Sequence, residues 1–232
     1  MPVIAFASPK GGAGKTTAAL LLATEVAQKG IDVTVIDADP QRWIDAWGRL
    51  PDKPNNLSIL SEVSEQNIID EIDDASRKTP FVIIDLEGTA SVMVAYAISR
   101  SDLVAIPIQP SDMDARAASQ AIRLIKQQER AFDRTIPYAV FLTRTKSAIK
   151  TKTLRNIEQQ LRKADIRIFD TQLLEREAFR NLFSFGGTLE RLNPAEVYKL
   201  DDAIINARAF AGEVINTFKR GHLGIGQTRE VA

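Results

Sequence analysis

The sequence has no cysteine among its 232 residues, which excludes disulfide frameworks, thiolate-bound zinc, iron–sulfur clusters and thiol nucleophiles together. Its single histidine, His222, stands in a glycine-rich tail, which argues against a multi-histidine metal site and a Ser-His-Asp hydrolase. Net charge is lacking too: 30 Lys+Arg face 30 Asp+Glu, so any surface for a polyanion must be local. No apolar run approaches the roughly 18 residues of a membrane span. The most apolar stretch, Thr16 to Thr24, is closed by Lys15 and Glu25. The N-terminus shows neither a basic segment nor a small-residue cleavage site, so no secretory signal is expected and the cytoplasm is the expected compartment.

What is present is a strand–helix alternation. Short apolar runs recur at Val3–Ala7, Val33–Ile36, Leu57–Leu60, Phe81–Ile84, Leu103–Ile106 and Tyr138–Leu142. Between them, Ala18–Gln28, Asn67–Ser76, Ala115–Arg130 and Lys152–Lys163 carry apolar residues three and four apart, the spacing of helices. The strands are continuously apolar, without in/out alternation, as when helices cover both faces of a sheet. The fold class expected is α/β: one doubly wound, mainly parallel sheet with helices on both faces. Pro51–Asn56 reads as a loop within that domain. After about Ile168 the pattern turns helical and ends in a helix over Ala195–Arg220. The expected division is a domain over residues 1–220 and a flexible tail over 221–232.

Directly after the first strand comes Ser8-Pro9-Lys10-Gly11-Gly12-Ala13-Gly14-Lys15-Thr16-Thr17, then an apolar helix. Glycines let the backbone aim several N–H groups at phosphate oxygens, and the helix N-terminus adds its positive dipole end. Lys15 would reach the β and γ phosphates, and the Thr16 hydroxyl would join a magnesium shell. Pro9 occupies the first glycine position of the strict loop pattern, whereas the variant K-G-G-x-G-K-T is met.

These residues resemble the deviant Walker A ATPases, and within them the ParA/MinD group, over almost the whole chain. Val35-Ile36-Asp37-Ala38-Asp39-Pro40-Gln41 looks like that group's first switch, and Phe81-Val82-Ile83-Ile84-Asp85 like its Walker B strand. Asp85, at the carboxyl end of an apolar strand, is where a magnesium-directed carboxylate is needed. Asp39 is placed to hold the attacking water or a magnesium-bound water, with Asp37 behind it or capping the turn. The resemblance implies ATP and Mg2+ as ligands. It implies a homodimer around two ATP molecules in which Lys10 reaches the partner's nucleotide, as an arginine finger does. The catalytic set is then Lys10, Lys15 and Asp39; the nucleotide set is Lys10, Gly11, Gly12, Ala13, Gly14, Lys15, Thr16 and Thr17, with Thr143 and Arg144 at the adenine; the metal set is Thr16, Asp39 and Asp85. Leu86-Glu87-Gly88-Thr89-Ala90-Ser91 departs from the Thr-Pro pair of many relatives; Glu87 is expected to cap the next helix or to face magnesium waters. Ser111 or Asp114 is expected to cap the helix after the fifth strand.

Charge is uneven along the chain. Residues 37–87 hold 12 acidic and 5 basic side chains, a net of −7, whereas residues 144–167 hold 8 basic and 2 acidic, a net of +6. Lys146, Lys150, Lys152, Arg155, Arg162 and Lys163, joined by Lys219 and Arg220, form the expected DNA-binding set, contacting phosphates without reading sequence. No aromatics interleave with them, so duplex fits better than single-stranded DNA. With the first strand beginning at residue 3, no helix-turn-helix domain is expected ahead of the fold. The resemblance thus implies a nucleoid-associated ATPase that positions a plasmid, chromosome or other cargo, with a ParB-like or other adaptor stimulating hydrolysis. A membrane-bound regulator of the MinD kind is the alternative, and so is an ATPase acting in DNA transfer. The tail Gly221–Gln227, with glycine at three of seven positions, is a poor membrane helix, and no membrane partner is expected.

Overall fold

All six apolar runs form strands of one sheet, and a short seventh strand joins it. The computed structural model describes residues 1–88, 91–145 and 152–222, the side chains of residues 112, 152, 153, 221 and 222 excepted. The strands are β1 (Val3–Phe6), β2 (Val33–Ala38), β3 (Leu57–Leu60), β4 (Phe81–Leu86), β5 (Leu103–Ile108), β6 (Tyr138–Thr145) and β7 (Leu173–Leu174). They lie in the order β3-β2-β4-β1-β5-β6-β7, and every pairing is parallel. The helices are α1 (Lys15–Gln28), α2 (Trp43–Gly48), α3 (Ile68–Lys78), α4 (Val92–Arg100), α5 (Asp112–Phe132), α6 (Lys152–Lys163), α7 (Glu177–Phe185) and α8 (Leu200–His222).

Successive side chains of each strand enter opposite cores, as the two-residue period requires. Ile4, Phe6, Val33, Val35, Ile83, Ala105 and Phe141 meet α1, α2, α7 and α8. Val3, Ala5, Ile36, Val82, Ile84, Val104, Val140 and Leu142 meet α3, α4, α5 and α6. This is the doubly wound α/β architecture expected from the alternation. Helix α1 is buried nearly all round, between the sheet and α8, which explains why Thr16–Thr24 is apolar without entering a membrane. Phe6, Phe141, Phe169 and Phe210 cluster with ring centroids 4.9–6.4 Å apart and pin α8 to the sheet.

The last helix differs from its expected span. It begins at Leu200, not Ala195, because Asn193 and Pro194 make a turn: Asn193 Oδ1 accepts the Ala195 N–H at 3.1 Å, and Lys199 adopts a left-handed φ of 55°. It continues through Gly221 and His222, so the expected boundary at residue 220 falls inside a helix; residues 223–232 lie outside the described residues. No helix among the described residues is long and apolar enough to cross a membrane.

A buried acid joins α1 to α8. Glu25 is 4% exposed, with Arg208 Nε at 3.8 Å, and Arg208 in turn binds Glu190 at 2.8 Å. Burial, then the Glu190 charge, pushes the Glu25 carboxyl from 4.5 up to about 7 against the opposing pull of Arg208 and Lys29. The unfolded chain releases this proton near 4.5 and the folded chain near 7, so the stability it contributes is full below 4.5 and is lost as pH rises through 7. Glu25→Gln is therefore expected to melt like wild type at pH 5 and several degrees higher at pH 8, a gain of about 1–2 kcal/mol. Equal melting temperatures for the two proteins at pH 8 would contradict this.

Candidate functional site

The segment Ala7–Gly14 links β1 to α1, so it emerges at the carboxyl edge of the sheet, beside the central strands. Gly14 caps α1 with φ 102° and no side-chain hydrogen bond, leaving the first N–H groups of the helix free to face a ligand. The loop is braced by three strand ends. Thr143, at the end of β6, donates its hydroxyl hydrogen bond to Ala13 O at 2.7 Å, and a Cβ on Gly14 would lie 3.3 Å from its methyl group. Gln109, after β5, donates from Nε2 to Gly12 O at 2.9 Å. Gly88, after β4, passes so near that a Cβ there would sit 3.3 Å from Gly11 N. The result is a braced loop whose shape suits an anion.

The cradle opens into a cleft of about 530 Å³ lined by Gly11, Gly12, Gly14, Lys15, Thr16, Thr17, Asp39, Gln41, Trp43, Gly88, Arg144, Arg180 and Phe183. A hollow of about 250 Å³ adjoins it, walled by Thr143, Leu173, Leu174, Glu175, Arg176 and Phe179 and sharing Gly14, Thr17, Arg144, Arg180 and Phe183. Lys15, Thr16, Thr17, Asp39 and Arg144 therefore converge as the sequence led one to expect. Thr143 is buried, and its hydroxyl is committed to the cradle; it positions the loop. Trp43, Arg180 and Phe183 are additions, and only their place on α2 and α7 brings them to the cleft.

Behind Lys15 two carboxylates stand in register on neighbouring strands, Asp37 on β2 opposite Asp85 on β4. Asp85 is fully buried, and both its oxygens lack a hydrogen-bond partner. Burial pushes it up to about 8, opposed by the Thr16 hydroxyl and Lys15 and reinforced by Asp37. Asp37 is also raised, chiefly by burial, although the Asp45, Asp39 and Ile44 N–H groups hold it back. Its Oδ2 accepts the Asp45 N–H at 2.9 Å, capping α2, while Oδ1 has no partner. Buried carboxylate oxygens without a protein partner are suited to bind a cation. The donors present, Asp85 and the Thr16 hydroxyl, are hard oxygens suited to magnesium. Among the described residues no group of three or more His or acidic side chains forms a ready-made cage, which agrees with an ion that keeps waters and takes ligand phosphate oxygens. Asp39, half-buried at the cleft wall, accepts the Gln41 N–H at 2.9 Å.

Lys10 points elsewhere. Its Nζ lies 2.6 Å from Asp114, a carboxylate 1% exposed at the start of α5, and Lys10 is not among the residues lining the cleft. Burial alone would raise Asp114, but hydrogen bonds from Lys10, Ser111 and the Gln109 N–H hold it below its ordinary value. Ser111 caps α5, accepting the Asp114 N–H at 3.2 Å. Glu87 does not take the capping role expected of it: Ser91 caps α4, accepting the Val94 N–H at 3.2 Å, and Glu87 faces a separate cavity beside Ser8, Pro9 and Val94. Thr89 and Ala90, of the altered second switch, lie outside the described residues.

The expected basic surface is divided. Arg155, Arg162 and Lys163 are exposed on α6, which packs on one face of the sheet, and Lys219 and Arg220 are exposed at the end of α8, which packs on the other. Lys146 and Lys150 lie outside the described residues, as does the Lys152 side chain.

A family model, the VirC1 protein, matches residues 1–198. Protein ParA of Rhizobium radiobacter is 42% identical over 211 residues, 91% of this chain and 95% of that protein. Protein virC1 of Rhizobium rhizogenes is 28% identical over 184 residues, 77% of this chain and 79% of that protein. The solved structure of the Cyanothece McdA(D38A)–ATP complex superposes with a TM-score of 0.74 at 19% identity, covering 99% of both chains, and shares the fold.

Proposed function

The chain belongs to the VirC1 family of ParA-like partition and positioning ATPases, and from that premise we propose that it binds ATP with magnesium, pairs with a second copy around two nucleotides, and holds duplex DNA in that state. Hydrolysis stimulated by an adaptor protein then releases it, so that a plasmid, chromosome or other bound cargo is positioned. The observation that carries this reading is the orphaned Asp85 carboxylate beneath a phosphate cradle braced from three strand ends.

Backbone N–H groups from Gly11 to Lys15 receive the phosphates, Lys15 neutralises them, and Thr16 with Asp85 holds magnesium. Magnesium held by these residues would draw charge from the phosphoryl oxygens. Residues of α7, Leu173, Leu174 and Arg144 wall the adjoining hollow, where apolar and guanidinium groups together receive the base. Asp39 orients the attacking water. Lys10, held outside its own cleft by Asp114, is the cation offered to the partner's phosphates, which makes dimerisation and turnover one event. The chain then acts at the nucleoid as a switch, with ATP setting its state.

Asp39→Ala tests the assignment. The variant is expected to bind ATP and form the dimer with unchanged affinity, while turnover falls by about 10²–10³-fold. Wild-type turnover in this variant removes Asp39 from the chemistry.

A further inference from the structure

The exposed side of α5 carries a feature that a running count of charges misses. Arg116, Arg123 and Arg130 stand seven residues apart and all three are exposed. Seven residues are close to two helical turns, so the three guanidinium groups form one row along about 21 Å of helix. No ion pair neutralises them among the described residues. Of the described acidic side chains on α5, Asp114 is buried against Lys10, and Glu129 is occupied by Lys126 at 2.7 Å and the Ile136 N–H at 2.9 Å. From Ala115 to Arg130 the other exposed positions are Ser119, Gln120, Lys126 and Gln127, so no large apolar side chain interrupts the row; the exposed Met113 and Phe132 lie beyond its two ends.

The next helix on that layer, α6, adds further basic side chains, of which Arg162 lies 3.9 Å from Asp170. β5 and β6 are adjacent and parallel, and α5 and α6 both pack on the same face of the sheet, so Arg155, Arg162 and Lys163 lie on the layer that carries the α5 row. The basic end of α8 is on the opposite layer.

Resting on the DNA-binding reading above, we infer that the duplex contacts this α5–α6 face through the Arg116–Arg123–Arg130 row, and that the end of α8 is not part of the interface. A straight row of arginines spaced with serine and glutamine supplies donors to phosphate oxygens and nothing that reads base edges. An amphipathic membrane contact needs large apolar side chains among the cations, and a protein interface needs a buried aromatic or aliphatic anchor; the exposed side of α5 has neither between Ala115 and Arg130. Pairing of two copies places two rows in one particle, so affinity for DNA rises with dimerisation through effective concentration.

The test compares wild type, a triple variant (Arg116→Ala, Arg123→Ala, Arg130→Ala) and a double variant (Lys219→Ala, Arg220→Ala), each binding an unrelated linear duplex in ATP and magnesium across a salt series. All three substituted arginines are exposed, so unchanged melting temperature and basal ATP turnover are expected and serve as controls. The triple variant is expected to lose at least tenfold in affinity, and the slope of log affinity against log salt to fall by about three per copy; the double variant is expected to match wild type. A triple variant that binds like wild type overturns the placement and leaves the DNA reading intact, the more so if the double variant is the one that fails. A wild type that binds no duplex in any nucleotide state overturns both. In that case, row-dependent binding to vesicles containing anionic phospholipid identifies a membrane as the partner instead.

Discussion

Lys15→Ala is expected to abolish ATP binding at nucleotide concentrations that saturate the wild type, a loss of at least 10²-fold in affinity as measured by calorimetry. Lys15 is 5% exposed at the first position of α1, directly after the left-handed Gly14, so the helix start holds it at the cradle. The side chain has two tasks. In the proposed site it meets phosphate oxygens, and it opposes the buried charge of Asp85. Its removal leaves Asp37 and Asp85 side by side in register without a neighbouring cation, and Asp85 is then pushed further toward its protonated, non-ligating form. Both effects weaken nucleotide with magnesium in the same direction. Ordinary ATP affinity in this variant would mean that the cradle is not the site.

Lys10→Ala is expected to separate binding from turnover. Because Lys10 is outside its own cleft, the variant keeps its affinity for ATP as a monomer. Loss of the cation in trans removes ATP-dependent dimerisation and lowers turnover by about 10³-fold. The pairing with Asp114 offers a competing role: Lys10 could serve only to neutralise a buried carboxylate at the start of α5. In that case the variant would melt lower, by about 3 kcal/mol or more of lost stability, yet dimerise and hydrolyse ATP as wild type does. Sedimentation with ATP and magnesium, read beside a melting curve, distinguishes the two outcomes.

The features legible in the sequence are those made of consecutive residues. The strands, the phosphate loop and the carboxylates at strand ends are each written in a stretch of ten residues or fewer, and the structure brings Lys15, Thr16, Asp39 and Asp85 to one edge of the sheet. Features made by distant residues were hidden. Lys10 and Asp114 are 104 residues apart, and nothing in either neighbourhood marks them as partners. Helix α2 has six residues, too few to show a period, yet it brings Trp43 to the cleft and uses Asp37 as its cap. Arg180 and Phe183 reach the cleft only because α7 follows the two-residue strand β7 at the sheet edge. The apparent basic surface was a sum along the chain, and helices on opposite faces of the sheet broke it up. The arginine row on α5 escaped that sum because Asp112, Asp114 and Glu129 on the same helix offset most of its charge along the chain.

In the proposed function, ATP switches this chain between two states with different affinities for DNA. The most direct measurement is the affinity of the wild-type chain for an unrelated linear duplex with ATP and magnesium, with ADP and magnesium, and without nucleotide, each at several salt concentrations. Tight binding that weakens steeply with salt and occurs only with ATP is the predicted result. Equal affinity in all three states, or no binding in any, would contradict it.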